Sequence, residues 1–170
     1  GGVWRGQLHP LGSGREGAPI RVGSYGQGPK PILQGTGATG MLEGAVVLLY
    51  NQDFWEVEDL DVSHPADGEG ERFGILARWH DYGVGRHLVI RHCDVHDIAG
   101  YTPFRFKGDG ILVVATGSRI PTRCDDVLIE GNRLCRIRRT GITIWSQWAE
   151  RGRVYFKPGQ EYQYHTTVGP

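Results

Sequence analysis

No run of apolar residues in this 170-residue chain approaches the roughly 18 that a membrane span requires, so no transmembrane segment is expected. Cysteine is scarce: Cys93, Cys124 and Cys135 form an odd set at irregular spacing, which does not make a disulfide framework. Cys93 and Cys135 lie in apolar runs, where buried thiols are common. Excess charge of either sign is also missing. Nineteen basic and 19 acidic residues cancel, so no global field recruits nucleic acid or a membrane surface. Nor does any segment carry apolar residues at helical spacing, which excludes a helical bundle. The chain opens on Gly1-Gly2-Val3-Trp4 and closes on Val168-Gly169-Pro170 without a capping element, so an excerpt of a longer protein is expected, with its targeting signal elsewhere.

What the chain has in quantity is glycine, 27 residues without the triplet period of collagen, which suits short strands joined by tight turns. Three of these glycines sit in a repeated phrase: Phe73-Gly74-Ile75-Leu76, Asp109-Gly110-Ile111-Leu112 and Thr140-Gly141-Ile142-Thr143, with the glycines 36 and then 31 residues apart. After each of the first two comes a β-branched run, His87–Val95 and Asp126–Leu134. A period of this size means stacked units. Aligning the units places Val57, Ile90 and Ile129 together, then Leu60, Cys93 and Asn132, then Val62, Val95 and Leu134. Ala45–Tyr50 reads as an apolar strand and Trp55–Val62 as a half-buried alternating one. Residues 19–22 and 31–33 are shorter strand candidates between glycine-rich turns. Asn132 falls at a corner, where an Asn can adopt the left-handed conformation or bond neighbouring backbone.

These residues resemble a known family. The Gly-Ile strands, the Val127-Leu128-Ile129-Glu130-Gly131-Asn132 corner and the period of 30-odd residues are similar to right-handed parallel β-helix proteins of the pectate-lyase-like superfamily. Gly14-Arg15-Glu16-Gly17-Ala18-Pro19-Ile20, Tyr25–Ile32, Asn51–Val57 and Pro121–Asn132 look like coils of its secreted bacterial members. The resemblance implies an all-β solenoid of about four coils with long loops on one side. Its expected parts are an opening coil over 1–43, regular coils over 44–145 and a long loop over 146–170. It also implies a secreted or cell-surface protein that handles a polysaccharide and is a monomer at full length. Lyases, hydrolases and non-catalytic binding or adhesin proteins share this fold, so fold alone does not select among them.

In such proteins the cleft runs along the first strand of each coil and its flanking loops, here 77–87, 99–109, 115–126 and 146–167. With Ile75 and Ala77 inward, Leu76 and Arg78 face the cleft, followed by Leu112 and Val114, then Thr143 and Trp145. Arg78 has the fork for a carboxylate and Trp145 a face for a sugar ring; the plain alternative is a surface Arg and a Trp packed under loop 146–167. Lys107 and Asp109 bring a base and an acid to the mouth of a strand, and Arg139 opens the next one. In a lyase Lys107 or an Arg takes the proton and Arg side chains neutralise the uronate. In a hydrolase Asp109 needs a second carboxyl group, with Asp97 or Asp125 as candidates. Trp148 belongs to an aromatic-rich stretch with Tyr155, Phe156, Tyr162 and Tyr164, read either as a sugar platform or as a self-packed loop. No metal ligands are assigned and the cofactor stays open. Asp125-Asp126 would suit Ca²⁺ by type but supplies too few oxygens, and His92 and His96 straddle a corner, which disfavours zinc.

Overall fold

The computed structural model describes residues 2–100, 108–149 and 166–168, of which residue 149 and the last three are described by backbone alone. Its strands in chain order are β1 (Val3–Arg5), β2 (Ile20–Val22), β3 (Ile32–Gln34), β4 (Ala45–Tyr50), β5 (Trp55–Glu58), β6 (Asp61–His64) and β7 (Phe73–His80). They continue as β8 (Val84–Arg91), β9 (Asp94–Ile98), β10 (Asp109–Thr116), β11 (Arg123–Glu130), β12 (Arg133–Ile137), β13 (Thr140–Ser146) and β14 (Thr166–Val168). A single 3₁₀ turn follows β13 at Gln147–Ala149. No described helix is long and apolar enough to cross a membrane.

Every strand pairing between named strands is parallel, and every one joins a strand to its counterpart in the next coil. Three sheets result: β4-β7-β10-β13, the first sheet; β2-β5-β8-β11-β14, the second; and β1-β3-β6-β9-β12, the third. The chain is a parallel β-helix. Its right-handed sense is the one that parallel strand connections adopt.

The repeated apolar residues build the interior as ladders. Val47, Ile75, Ile111 and Ile142 stack in the first sheet, Val57, Ile90 and Ile129 in the second, and Val62, Val95 and Leu134 in the third. All but Ile142 and Leu134 are fully buried, and those two lie in the last coils. Each buried Val, Leu or Ile contributes about 1.5–3 kcal/mol. Asp53 ties coils together from one corner: its Oδ1 accepts from Trp79 Nε1 at 3.0 Å and from Arg86 N at 2.9 Å, and its Oδ2 from Tyr82 Oη at 3.0 Å.

The first two copies of the repeated glycine have a steric cause, whereas a Cβ at Gly141 would meet only Leu134 Cδ2 at 3.7 Å. A Cβ at Gly74 would lie 2.6 Å from Gly110 O and from Val95 Cγ1; at Gly110 it would lie 2.5 Å from Ile137 Cδ1 and 2.7 Å from Gly141 O. The third strand turns into the first at this point, and only hydrogen fits.

Corners are built from left-handed residues that recur coil by coil. Phe54, His87 and Asp126 form one such column, with φ of 57°, 50° and 58°. Asp59, His92 and Gly131 form a second, and Asp97 and Arg136 a third. The left-handed member of the last second-to-third corner is therefore Gly131, not Asn132. Asn132 takes the bonding role instead: its Oδ1 accepts from Cys93 N at 2.8 Å and its Nδ2 donates to Ile90 O at 2.9 Å. The Asp59 corner also divides the stretch 55–62, expected as one strand, into β5 and β6. First strands run further than the Gly-Ile-Leu phrase suggests, so the connections expected over 77–87 and 115–126 shrink to 81–83 and 117–122.

Candidate functional site

Asp109 opens β10 and pairs in register with Thr140, which sets Arg139 one residue before it in the next coil. Arg139 N donates to Gly108 O at 3.2 Å, fixing that turn. Its Nη1 then donates to Asp109 Oδ1 at 2.7 Å, and Thr143 Oγ1 donates to the same oxygen at 3.0 Å. Asp109 is fully buried, with 0% exposure, and its Oδ2 has no hydrogen-bond partner among the described residues. A buried charge needs pairing, and Arg139 supplies it. The juxtaposition of Asp109 and Arg139 expected from the repeat is thus present, whereas Lys107 lies outside the described residues, as do Tyr155, Phe156, Tyr162 and Tyr164.

Register also places Tyr50, Arg78, Val114 and Trp145 in one row on the outer face of the first sheet. Val114 separates Arg78 from Trp145, so their backbones stand two strand spacings apart, roughly 10 Å. Arg78 is half-buried. Its Nε donates to Thr116 Oγ1 at 3.0 Å, and its Nη2 lies 3.3 Å from His80 Nδ1. Burial lowers its pKa, opposed by Tyr50. Trp148 is buried in the 3₁₀ turn, where its N donates to Ser146 Oγ at 3.2 Å, a packed position and not an exposed ring face.

The outer face of the first sheet differs from the open cleft expected there. Leu76 and Leu112 do point outward, but both are fully buried, in a second apolar cluster with Ala45, Leu48, Phe73 and Val114 against which Met41 and Leu42 pack. An apolar face of this size is covered because leaving it in water is costly. Asp109 is the one carboxylate that the described residues place on this face among those buried side chains.

The two partner carboxylates considered for Asp109 lie elsewhere. Asp97 accepts from Arg136 Nη2 at 2.8 Å and sits 2.6 Å from His96 Nδ1; Arg136 and then His96 hold its pKa well below the usual carboxylate range. Asp125 lines a groove beside the second sheet. Neither shares a hydrogen bond with Asp109.

That groove holds a cluster which the sequence reading overlooked. His87 Nδ1 lies 2.7 Å from Asp126 Oδ2 and its Nε2 lies 3.3 Å from Glu56 Oε1. Arg21 Nη2 meets Glu56 Oε2 at 2.7 Å, and the His87 ring stacks on Phe54 with centroids 5.9 Å apart at 23°. Burial works against a charged His87, but hydrogen bonds to Asp126 and Glu56 outweigh it and raise its pKa. Glu56 is affected first by burial, which raises it, yet Arg21, His87 and Arg91 together bring it below its ordinary value. Phe54, His87 and Asp126 occupy equivalent positions, each one residue before the stacked Trp55, Leu88 and Val127, so the repeat alignment contained this signal. Among the described residues no group of three or more His, Cys, Asp or Glu side chains is arranged to hold a metal ion.

No family model matches the chain, and no curated protein matches it. Among solved structures, the native GH136 lacto-N-biosidase from Eubacterium ramulus superimposes with a TM-score of 0.70 at 24% identity, over 85% of this chain and 29% of that one. Its selenomethionine derivative gives 0.66 at 23% identity, over 81% and 28%. The likeness is one of fold. The chain spans about 29% of that enzyme's length.

Proposed function

We propose that this chain is part of a secreted or cell-surface β-helix that acts on a glycan, and that it does so as a glycoside hydrolase using Asp109. The observation that supports this most is the state of Asp109. One oxygen is oriented by Arg139 and Thr143, and the other carries no partner among the described residues. A carboxylate fixed in a dry setting with one oxygen unused suits a nucleophile or base, because its orientation is set before substrate arrives. A fold shared with a lacto-N-biosidase is consistent with this reading. The second carboxyl group of a hydrolase belongs about 5–5.5 Å away for retention or 6.5–9.5 Å for inversion. Arg78 and Trp145, further along the same outer face, are the side chains we assign to substrate binding.

The covered outer face of the first sheet favours a second reading, a non-catalytic glycan-binding or structural β-helix, since Leu76 and Leu112 are sealed from solvent. One experiment separates the two. The native protein and its Asp109→Asn variant are incubated with a panel of neutral and uronate-containing oligosaccharides, and both new reducing ends and unsaturated products are measured. Hydrolysis predicts new reducing ends without unsaturation, and a loss of about 10²–10⁴-fold in the variant. Equal turnover by both proteins removes Asp109 from the mechanism. Unsaturated products restore the lyase reading and turn attention to Lys107.

A further inference from the structure

We propose that the groove between the Arg15–Ala18 hairpin and the Phe54–His87–Asp126 column binds a neutral, hydroxyl-rich saccharide at a site separate from Asp109. The groove is a built feature. Arg15 and Ala18 exchange backbone hydrogen bonds of 3.2 and 2.8 Å, closing a tight hairpin. Gly14 N then donates to Asp53 O at 3.0 Å, and Ile20 N to Phe54 O at 2.8 Å, which clamps both ends of the hairpin to the column. Gly14 is required there, because a Cβ would stand 2.6 Å from Phe54 O. The groove is open to solvent along one side and has a volume of about 590 Å³, within the range of about 300–1,000 Å³ typical of small-ligand sites.

Its chemistry points to hydroxyl groups. Glu56 is already neutralised by Arg21, and Asp126 is already bonded to His87. Planar groups of both signs remain uncommitted on the lining: no described residue hydrogen-bonds the Arg86 guanidinium or the Glu16 and Asp125 carboxylates, of which Arg86 and Asp125 are partners in register. A guanidinium donates two parallel hydrogen bonds and a carboxylate accepts two, so together they match adjacent hydroxyls, which both donate and accept. The stacked Phe54 and His87 rings add a flat surface for the C–H face of a pyranose. An anion would meet Glu16, Glu56, Asp125 and Asp126, whose charges outnumber those of Arg21 and Arg86. Position separates the groove from Asp109. It lies beside the turn from first to second strand, whereas Asp109 opens a first strand at the turn from third to first. The proposal therefore stands whether or not Asp109 is catalytic.

The test uses cellotetraose and chitotetraose as neutral probes, with spermidine as a cationic control. Binding to the intact protein is measured by calorimetry, and the imidazole signals of His87 are followed by NMR. A neutral tetrasaccharide is expected to bind and to shift the His87 signals. Arg86→Ala combined with Asp125→Asn weakens that binding by about tenfold or more, while Asp109→Asn leaves it unchanged. The proposal is overturned if neither saccharide binds, if only spermidine binds, or if the double variant binds as tightly as the parent. Should the double variant fail to fold, the His87 shift in the unaltered protein decides alone.

Discussion

Two outer faces of the same helix carry opposite solutions to the same problem. On the first sheet the outward row Leu48, Leu76 and Leu112 is sealed, and the acidic Asp109 there is matched by Arg139. On the second sheet the outward positions carry Arg21, Glu56, Glu58 and Arg91, which pair with one another at the surface. Backbone geometry and inward ladders are alike in both. The difference therefore lives entirely in the outward side chains, and it sets what each charge is worth. Asp109, fully buried, has one cation beside it, while Glu56 and Glu58 share the more exposed Arg21 and Arg91 and lose less when one goes.

That contrast breaks first at the ion pairs. Arg139→Ala leaves Asp109 buried without its cation and is expected to cost about 3–5 kcal/mol. Arg21→Ala, at a side chain 56% exposed, is expected to cost about 0–1 kcal/mol. Chemical denaturation of both variants measures the gap, and equal midpoints would show that Asp109 is solvated. Leucines sharpen it next. Leu112→Ala on the sealed face should cost about 2–5 kcal/mol through the cavity it leaves. Leu128, half-buried on the outward row of the second sheet, should cost clearly less on the same substitution, and denaturation midpoints again decide.

Thiol reactivity offers a smaller effect. Burial pushes the Cys93 thiol up to about 11 and the Cys124 thiol up to about 12, so both stay protonated and unreactive at neutral pH. Cys135 is half-buried. Iodoacetamide under native conditions should label Cys135 ahead of the other two, as read by mass spectrometry. Labelling of Cys93 at the same rate would contradict the packing of that corner.

The smallest effect separates two histidines. His87 on the solvated face is raised by its carboxylates, while burial first and Arg72 second lower His64. For His87 the charged ring stabilises the fold fully below about pH 6.5, and that stability is lost as pH rises through its folded value. For His64 the neutral ring is the favoured form, so its contribution is present above about pH 6.5 and declines as pH falls. An NMR titration should find the two imidazoles on opposite sides of the ordinary value. A shared midpoint would remove the electrostatic part of the comparison.

Much of this architecture was legible in the repeat. Val57, Ile90 and Ile129 stack as their alignment implies, because inward residues in a solenoid must meet the same residue type above and below. Asp109 and Arg139 also meet as equivalent openings of successive coils suggest. Less legible was the outward side of the first strand. Alternation tells which residues face out but carries no information on what covers them, so Leu76 and Leu112 read as cleft residues although they are sealed. Glu56, His87 and Asp126 were missed for another reason. Each looks like an ordinary surface charge in its own coil, and the cluster exists only when three coils are stacked.

The sequence by itself therefore determined the coil: its glycine corner, its three strands and its inward ladders. These follow from local sterics and from a period that repeats along the chain, as Gly74 and Gly110 illustrate. Only the tertiary structure decided which outward face is buried and which charges become partners. Those contacts join residues some 30 or more positions apart, as in Arg139 with Asp109 and His87 with Asp126. Burial of that kind depends on the summed shape of neighbouring coils and their connections, which no single stretch of sequence contains.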